Sequence, residues 1–566
     1  MTFTFTVSPQ DWGRIAPVLV LVGMALVVMI VDIFLPHEGE RTKHSGPQNF
    51  AVLPILSFVS ILGAVGATIW LFMVGDQQQA FNHMVGSDWG TLYGYLIILG
   101  ASGLGILLSP AYLKRLKLVH QGEYYALLLM ATVGMMLMAA ATSFVMIFLG
   151  IEMLSLALYI LCGFVARRKA SQESGMKYFL LSSFASAFLL YGIAMTYGAT
   201  GQTSFNGVKQ AVDLIKAGSH PATLLWIALG LLGVGFAFKV SAIPFQAWTP
   251  DVYQGAPAPV TAFMSVGTKA AAIIAFARVF DIVFQAFYSS WEPMVWAIAI
   301  LTIIGGNLMA LGQSNAKRLL AYSSVAHAGY LLIGVIIGGK IGISAILFYL
   351  LCYAFMNLGA FGVISVLEHE DNTGSDASDL RGLWYRRPVL AGLLAFFLLA
   401  LAGFPPMAGF AGKYYIFYAA LQGGHADLLI ISVLASVLGM YYYLRVIATM
   451  FMEQETTVAS SVPKVPATPI SEPKSARRVP AKARAAGGLT TSRSATAVAE
   501  KPSSAKVSKA VVPPATEIER EAVGKLSWMT WLSLSLAVIG TLAMGTVLPF
   551  WLVNLAQRAA ELMMLR

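Results

Sequence analysis

The chain has 566 residues, of which 57% are hydrophobic and only 11% charged, whereas a soluble protein carries about 25% charged residues. That composition excludes a soluble globular enzyme and points to a polytopic membrane protein. The two cysteines, Cys162 and Cys352, are too few for an iron–sulfur cluster, a zinc knuckle or a disulfide-stapled secreted fold. The sequence contains no GxGxxG after a strand, no GxxxxGK[ST] and no HExxH, so no nucleotide site, ATP motor or metalloprotease site is expected.

A helix needs about 20 mostly apolar residues to cross a bilayer. In chain order such runs fall at 15–35, 51–74, 91–108, 124–141, 143–165, 175–197, 222–246, 257–280, 294–311, 319–338, 342–366, 389–420, 428–450 and 527–552. They predict an all-α fold of about fourteen spans. The first run follows Asp11 and a single Arg14; with no basic n-region and no small-residue cleavage site, it is expected to be a retained helix rather than a signal peptide. The fourth and fifth runs nearly touch, which requires a tight turn.

Lys and Arg distribution sets the orientation. Odd-numbered loops carry 25 of them and even-numbered loops only Lys209, Lys216 and Lys340. Odd loops are therefore expected in the cytoplasm and both termini on the outer side. Residues 456–516 stand apart: Pro, Ala, Ser, Thr, Val and ten Lys/Arg against Glu472 and Glu500, with no Trp, Phe or Tyr. Such a segment cannot bury enough apolar surface to offset its ordering entropy, and 453–526 is expected to be a disordered basic cytoplasmic insert. A polybasic contact with anionic lipid or an acidic partner is the alternative; nucleic-acid binding is not expected without aromatic stacking residues.

Six basic residues remain inside the predicted spans: Lys177, Lys239, Lys269, Arg278, Lys413 and Arg445. Arg278 and Arg445 lie near span ends and are expected to snorkel. Among acidic residues only Glu152 lies deep in a span, with Asp32 near the end of the first, and among histidines only His327 does. An ionisable group at the bilayer centre costs roughly 2.5–3.5 kcal/mol on insertion scales, so its retention needs a reason. A Lys–Glu pair fixing helix packing would account for one lysine but not four, and His327 is either a satisfied core histidine or a relay. A desolvated lysine surrenders its proton more readily than one in water.

Two spans are predicted to break. The seventh reads Phe238-Lys239-Val240-Ser241-Ala242-Ile243-Pro244-Phe245, and Pro244 removes a backbone bond and frees a carbonyl beside Lys239. The twelfth reads Gly403-Phe404-Pro405-Pro406-Met407-Ala408-Gly409, followed by Gly412-Lys413. Irregular backbone at membrane depth persists only where it is buried in protein or lines a hydrated cavity. The breaks are five spans apart, in helices of opposite direction, as two inverted five-helix repeats (spans 4–8 and 9–13) with sites near the midplane require. The expected division is therefore 1–123, 124–280, 281–452, the insert 453–526 and a last helix within 527–566.

The stretch from Phe238 to Pro257, with Trp248-Thr249-Pro250-Asp251-Val252-Tyr253 inside it, resembles the signature of membrane subunit N of respiratory complex I. That complex is the bacterial NADH–quinone oxidoreductase, and the mitochondrial counterpart of this subunit is subunit 2. Gly150-Ile151-Glu152-Met153-Leu154-Ser155, Lys177-Tyr178-Phe179-Leu180 and Gly403-Phe404-Pro405-Pro406 support the resemblance, which covers roughly 15–450 within the wider Mrp-type antiporter family. The basic insert departs from that family's compact loop.

The resemblance implies a proton channel. Glu152 would pair with Lys239, Lys269 would be the central relay, Lys413 the terminal lysine, and Lys177 and His327 accessory relays. It also implies that FMN, iron–sulfur clusters and quinone belong to partner subunits, with no cofactor or metal in this chain. The chain would be a multi-pass subunit of the cell inner membrane, contacting other membrane subunits and lipid and quinone only indirectly, with no nucleic acid. A subunit of a multi-protein sodium/proton antiporter and a non-transporting scaffold are the alternatives. Carboxylate-poor spans count against a sodium site, and the buried titratable groups count against a scaffold.

Overall fold

The computed structural model describes residues 7–35, 50–116, 118, 121–218, 222–369, 373–452, 526–547 and 549–564. The chain divides into a membrane-helix unit, 1–454 with 526–566, and the segment 455–525, which lies outside the described residues, as does nearly all of the expected insert.

Among the described residues, thirteen continuous helices are long and apolar enough to cross a membrane. A short α1 (Pro9–Arg14) leads into α2 (Ala16–Phe34) and α3 (Val52–Val74). The two-residue strands β1 (Gln79–Ala80) and β2 (Val85–Gly86) pair antiparallel before α4 (Trp89–Arg115), α5 (Gln121–Ala139), α6 (Phe144–Cys162) and α7 (Lys169–Thr200). The amphipathic α8 (Phe205–Lys216) precedes α9 (Thr223–Val240), the short α10 (Trp248–Gly255) and α11 (Ala258–Ala277), which runs on as a π-helical stretch over Arg278–Val283. Then come α12 (Tyr288–Leu311), α13 (Ala316–Ile337), α14 (Gly339–Leu367) and the single turns α15 (Ala377–Leu380) and α16 (Leu383–Arg386). A further apolar segment, the twelfth in chain order, is broken into α17 (Pro388–Ala402) and α18 (Ala408–Gln422). The last elements are α19 (Ala426–Phe451), α20 (Trp528–Thr546) and α21 (Pro549–Met564).

Each predicted span is thus present, and the seventh and twelfth are interrupted at their prolines. Several helices extend beyond the expected bounds, as α4 to Arg115 and α7 from Lys169, and the run expected at 527–552 is divided: its helix ends at Thr546 and a separate helix starts at Pro549, a residue suited to a helix N-terminus but not to a helix interior.

The tight joint between α5 and α6 rests on glycine. A Cβ at Gly134 would stand 2.4 Å from the Leu154 backbone nitrogen, and one at Gly150 would stand 2.8 Å from that of Met138. Small residues let helix backbones approach closely in an apolar medium, where packing rather than hydrophobicity holds helices together.

Burial grades from edge to centre. The most apolar window of α11 is wholly buried and that of α13 is 89% buried, against 28% for α2 and α19. Phe34 and Met73, each 82% exposed on peripheral helices, suit contact with hydrocarbon.

Polar contacts join ends that alternate crossing puts on one face. On the even-loop face, Arg14 pairs with Asp11 and Asp76, and Lys340 pairs with Glu561 of α21 at 2.9 Å. Both ends of the described chain therefore share the even-loop face.

Candidate functional site

The first break presents Lys239. α9 stops at Val240 because Ser241 takes a left-handed conformation (φ 66°), and the chain resumes as a helix only at Trp248. Thr249 Oγ1 donates to Ser241 Oγ at 2.7 Å, which holds the turn. Trp248 Nε1 donates to the carbonyl of Phe238, the residue before the lysine, at 3.0 Å. Lys239 is 3% exposed, and its Nζ donates to Ser155 Oγ at 2.6 Å and to Ser182 Oγ at 3.4 Å. It also sits 5.6 Å from the centre of the Tyr178 ring, which stacks on Trp248.

Glu152 is on α6, one turn before Ser155, and half-buried. No ion pair closes between it and Lys239; its Oε1 is buried without a hydrogen-bond partner among the described residues. In this state the hydroxyl of Ser155, rather than the expected carboxylate, holds the lysine.

Lys269 lies on the fully buried α11 and is 1% exposed. Its Nζ donates to the backbone carbonyl of Ser324 and, at 2.5 Å, to that residue's hydroxyl. Tyr353 donates to the same hydroxyl at 2.8 Å. One turn further along α13, His327 Nδ1 shares a 2.5 Å hydrogen bond with Tyr349 Oη, and Nε2 lies 3.4 Å from Tyr443 Oη. The ring of His327 is 5.1 Å from that of Tyr353 and 5.8 Å from that of Tyr330.

Lys413 follows the second break. α17 ends at Gly403 (φ 97°), and α18 begins at Ala408. Gly409 is obligatory there, since a Cβ would stand 1.8 Å from the Ala400 carbonyl oxygen. Lys413 Nζ donates to the Ala402 carbonyl at 3.0 Å and to Ser436 Oγ at 2.9 Å, and lies 5.6 Å from the centre of the Tyr330 ring. Tyr330 thus stands between His327 and Lys413. Ser324 and the rings of Tyr353, His327 and Tyr330 link Lys269 to Lys413, whereas Lys239 contacts Ser155, Ser182 and the Tyr178 ring instead.

Lys177 departs from its expected buried position. Its side chain is 41% exposed and pairs with Glu173 at 2.7 Å and Asp251 at 2.8 Å. Asp251 also takes Arg318 at 2.7 Å. Burial alone would raise the carboxyl of Asp251, but the hydrogen bonds and charges of Lys177 and Arg318 hold it below the usual carboxylate range.

Other buried charges were hidden by their position at loop boundaries. Glu368, just past the run 342–366, is buried with Lys317 at 3.3 Å and with Arg168, which forms a very short ion pair with it. Arg278 does not snorkel but pairs with the buried Asp88 at 2.8 Å. Arg445 donates to the carbonyls of Leu311 and Gln313 at 2.8 and 2.7 Å. Asp281, in the π-helical stretch, is 3% exposed and accepts from Gly339 N at 2.9 Å. An acidic or basic residue directly abutting an apolar run is the sequence signal common to Asp88, Lys317 and Glu368. Among the described residues, no group of three His, Cys, Asp or Glu side chains is placed to hold a metal ion.

Residues 141–439, which include both breaks and all six candidate side chains from Glu152 to Lys413, match the family described as NADH:quinone oxidoreductase/Mrp antiporter, transmembrane. The chain is 43% identical to NADH-quinone oxidoreductase subunit N of Trichlorobacter lovleyi over 444 residues, 78% of this chain and 87% of that protein. It is similar to a chain of respiratory complex I from Thermus thermophilus, solved with bound aureothin, at 28% identity and a TM-score of 0.65, covering 94% of this chain and 98% of that one. A chain of the Mrp complex from Dietzia shares the fold at a TM-score of 0.70 and 20% identity, covering 98% of each chain. The match of sequence and fold over most of the chain places it in the subunit N family of NADH-quinone oxidoreductases, within the wider NADH:quinone oxidoreductase/Mrp antiporter group.

Proposed function

We propose that this chain is a proton-translocating subunit of an NADH–quinone oxidoreductase. Protons would move from the cytoplasmic side, where the odd loops lie, to the outer side, where both termini lie. Quinone reduction, with FMN and iron–sulfur clusters in partner subunits, would supply the energy through neighbouring membrane subunits. The observation that carries this reading is the buried row Lys269–Ser324–Tyr353 and His327–Tyr330–Lys413, with its lysines 1% and 7% exposed. Lysines kept at such a cost serve a step that needs a movable proton.

In this reading, Glu152 and Lys239 form the gate. A carboxylate close to the ammonium favours its charged form, and separation removes that support. Each pKa unit is worth about 1.4 kcal/mol, comparable to the roughly 2.3 kcal/mol per charge per 100 mV of membrane potential. A few ångströms of movement by one carboxylate therefore suffices to gate transfer. Water carries the step from Lys239 to Lys269, and Ser324, Tyr353, His327 and Tyr330 carry it on towards Lys413. Lys177, paired at the odd-loop face, is the accessory group nearest the proton source.

The deciding measurement is protons pumped per electron by the assembled complex in sealed vesicles. Lys269→Ala is expected to lower that ratio while flavin and iron–sulfur content stay normal. A wild-type ratio in Lys269→Ala would overturn the relay.

A further inference from the structure

The short helix α10 is held from two sides by consecutive residues of α13. On the more accessible side, Arg318 Nη1 donates to Asp251 Oδ1 at 2.7 Å and to Gln254 Oε1 at 3.1 Å. The other oxygen of Asp251 takes Lys177 of α7 at 2.8 Å. On the buried side, Lys317 Nζ donates to the carbonyl of Ala256, the residue that ends α10, at 2.8 Å, and to Glu368 Oε2 at 3.3 Å. The Lys317 and Glu368 side chains are both 0% exposed, whereas Arg318 and Asp251 are 31% and 32% exposed. Successive helix residues point about 100° apart, so adjacent positions can straddle one neighbour.

Glu368 anchors the buried jaw. Its Oε1 accepts from Tyr112 at 3.0 Å and from Arg168. Arg168 also donates to the carbonyl of His369 at 2.9 Å. The ends of α4 and α14, the start of α13 and the residue before α7 therefore converge on one carboxylate. Apolar side chains of similar volume would hold these helix ends at least as firmly as buried charges, so cohesion alone does not account for the choice of residues.

What the clamp joins is specific. α10 continues the broken seventh span: its first residue, Trp248, binds the Phe238 carbonyl and stacks on the ring beneath Lys239. α13 carries Ser324, which holds Lys269, and His327. The geometry points to a coupling clamp, in which Lys317 and Arg318, with Glu368 and Asp251 as their acceptors, tie the position of α10 to that of α13. The proton step at Lys239 is thereby linked to the step at Lys269 and His327. These are positioning residues, and the inference rests on the relay proposed above.

The test uses the assembled complex in sealed vesicles, reading protons per electron beside quinone reductase rate and cofactor content. Arg318→Gln and Asp251→Asn are expected to lower protons per electron at least about twofold, the lower end of the range over which residues in a coupling network act, with cofactor content unchanged. Arg318→Lys, which keeps a donor for Asp251, is expected to restore the ratio. Glu368→Gln is expected to match the loss from the buried jaw; where that variant does not assemble, the half-exposed Arg318–Asp251 pair decides the matter. A wild-type ratio in both Arg318→Gln and Asp251→Asn overturns the clamp, and so does a loss that Arg318→Lys fails to restore. Failure of the relay reads differently, because Lys269→Ala then pumps normally; failure of the clamp alone leaves Lys269→Ala defective.

Discussion

Lys413 donates to the carbonyl of Ala402 at 3.0 Å, so the lysine that follows the second break satisfies the last residue of the helix that precedes it. Helix ends leave carbonyls without intrahelical partners, and here a titratable side chain fills the role of a cap. The first break is built differently: an indole nitrogen takes the corresponding duty at Phe238, and Lys239 turns to side-chain hydroxyls. The two lysines therefore differ in what they release on losing a proton or moving.

Lys413→Ala is expected to strand the Ala402 carbonyl and the Ser436 hydroxyl, at a cost of about 1–3 kcal/mol for each group left unsatisfied. Thermal unfolding of the purified complex would register this as a lowered midpoint for the membrane arm. Pumping per electron should fall as well, and an unchanged midpoint would mean that water replaces the ammonium without loss.

Lys239→Arg is expected to abolish normal pumping, because a guanidinium does not surrender its proton on demand. Glu152→Gln should be milder than Lys239→Ala, since Ser155 still holds the ammonium at 2.6 Å. If Lys239→Arg pumps at the wild-type ratio, Lys239 is a fixed charge and the gate lies elsewhere.

Asp88→Asn is expected to destabilise the fold by about 3–5 kcal/mol near neutral pH, since it leaves the buried Arg278 without its counter-charge. Burial alone would raise the carboxyl of Asp88, but the charge and hydrogen bonds of Arg278, with those of Thr91, hold it below the usual range. A depressed folded value means the stabilisation is fully present above the ordinary aspartate value of about 3.9 and fades as pH falls through the lower folded value. Acid unfolding curves of wild type and variant should therefore converge at low pH. A gap that stays constant down to strongly acidic pH would count against this ion pair as its source.

Single cysteines at Gln78 and Tyr385, both exposed, are expected to label from opposite sides of the membrane with an impermeant thiol reagent. Cys162 and Cys352 are buried, so the background should be low. Labelling of both from the same side would overturn the alternation of odd and even loops.

The spans were legible in the sequence because hydrocarbon demands long apolar runs, and the breaks because Pro244 and the Pro405–Pro406 pair leave few alternatives to an interruption. Burial of Lys239, Lys269, His327 and Lys413 was legible for the same reason: each lies well inside a run. The surroundings of Lys177 were not, because its partners Glu173 and Asp251 sit outside the apolar runs, one a helical turn away and one 74 residues on. Glu368 and Asp88 escaped notice because a charge at a run boundary reads as solvated until tertiary packing covers it. Hydropathy registers a residue's neighbours in sequence, and these two are buried by neighbours in space. That Lys239 donates to Ser155 and Ser182 rather than pairing with Glu152 depends on side-chain placement, which residue identity does not encode.

α20 packs against α4, α14 and α18, yet residues 453–525 separate it from α19. During synthesis, at about 5–20 residues per second, the site it fills stays vacant for several seconds after the thirteenth crossing is made. The backbone-close contacts there, such as Gly540 against the Phe355 ring and Gly545 against the Pro406 carbonyl, form only when α20 arrives. The second break, with Pro406 at its centre, is thus covered only after the intervening stretch has been made, and a ribosome stalled within that stretch would leave a thirteen-span intermediate with the break uncovered.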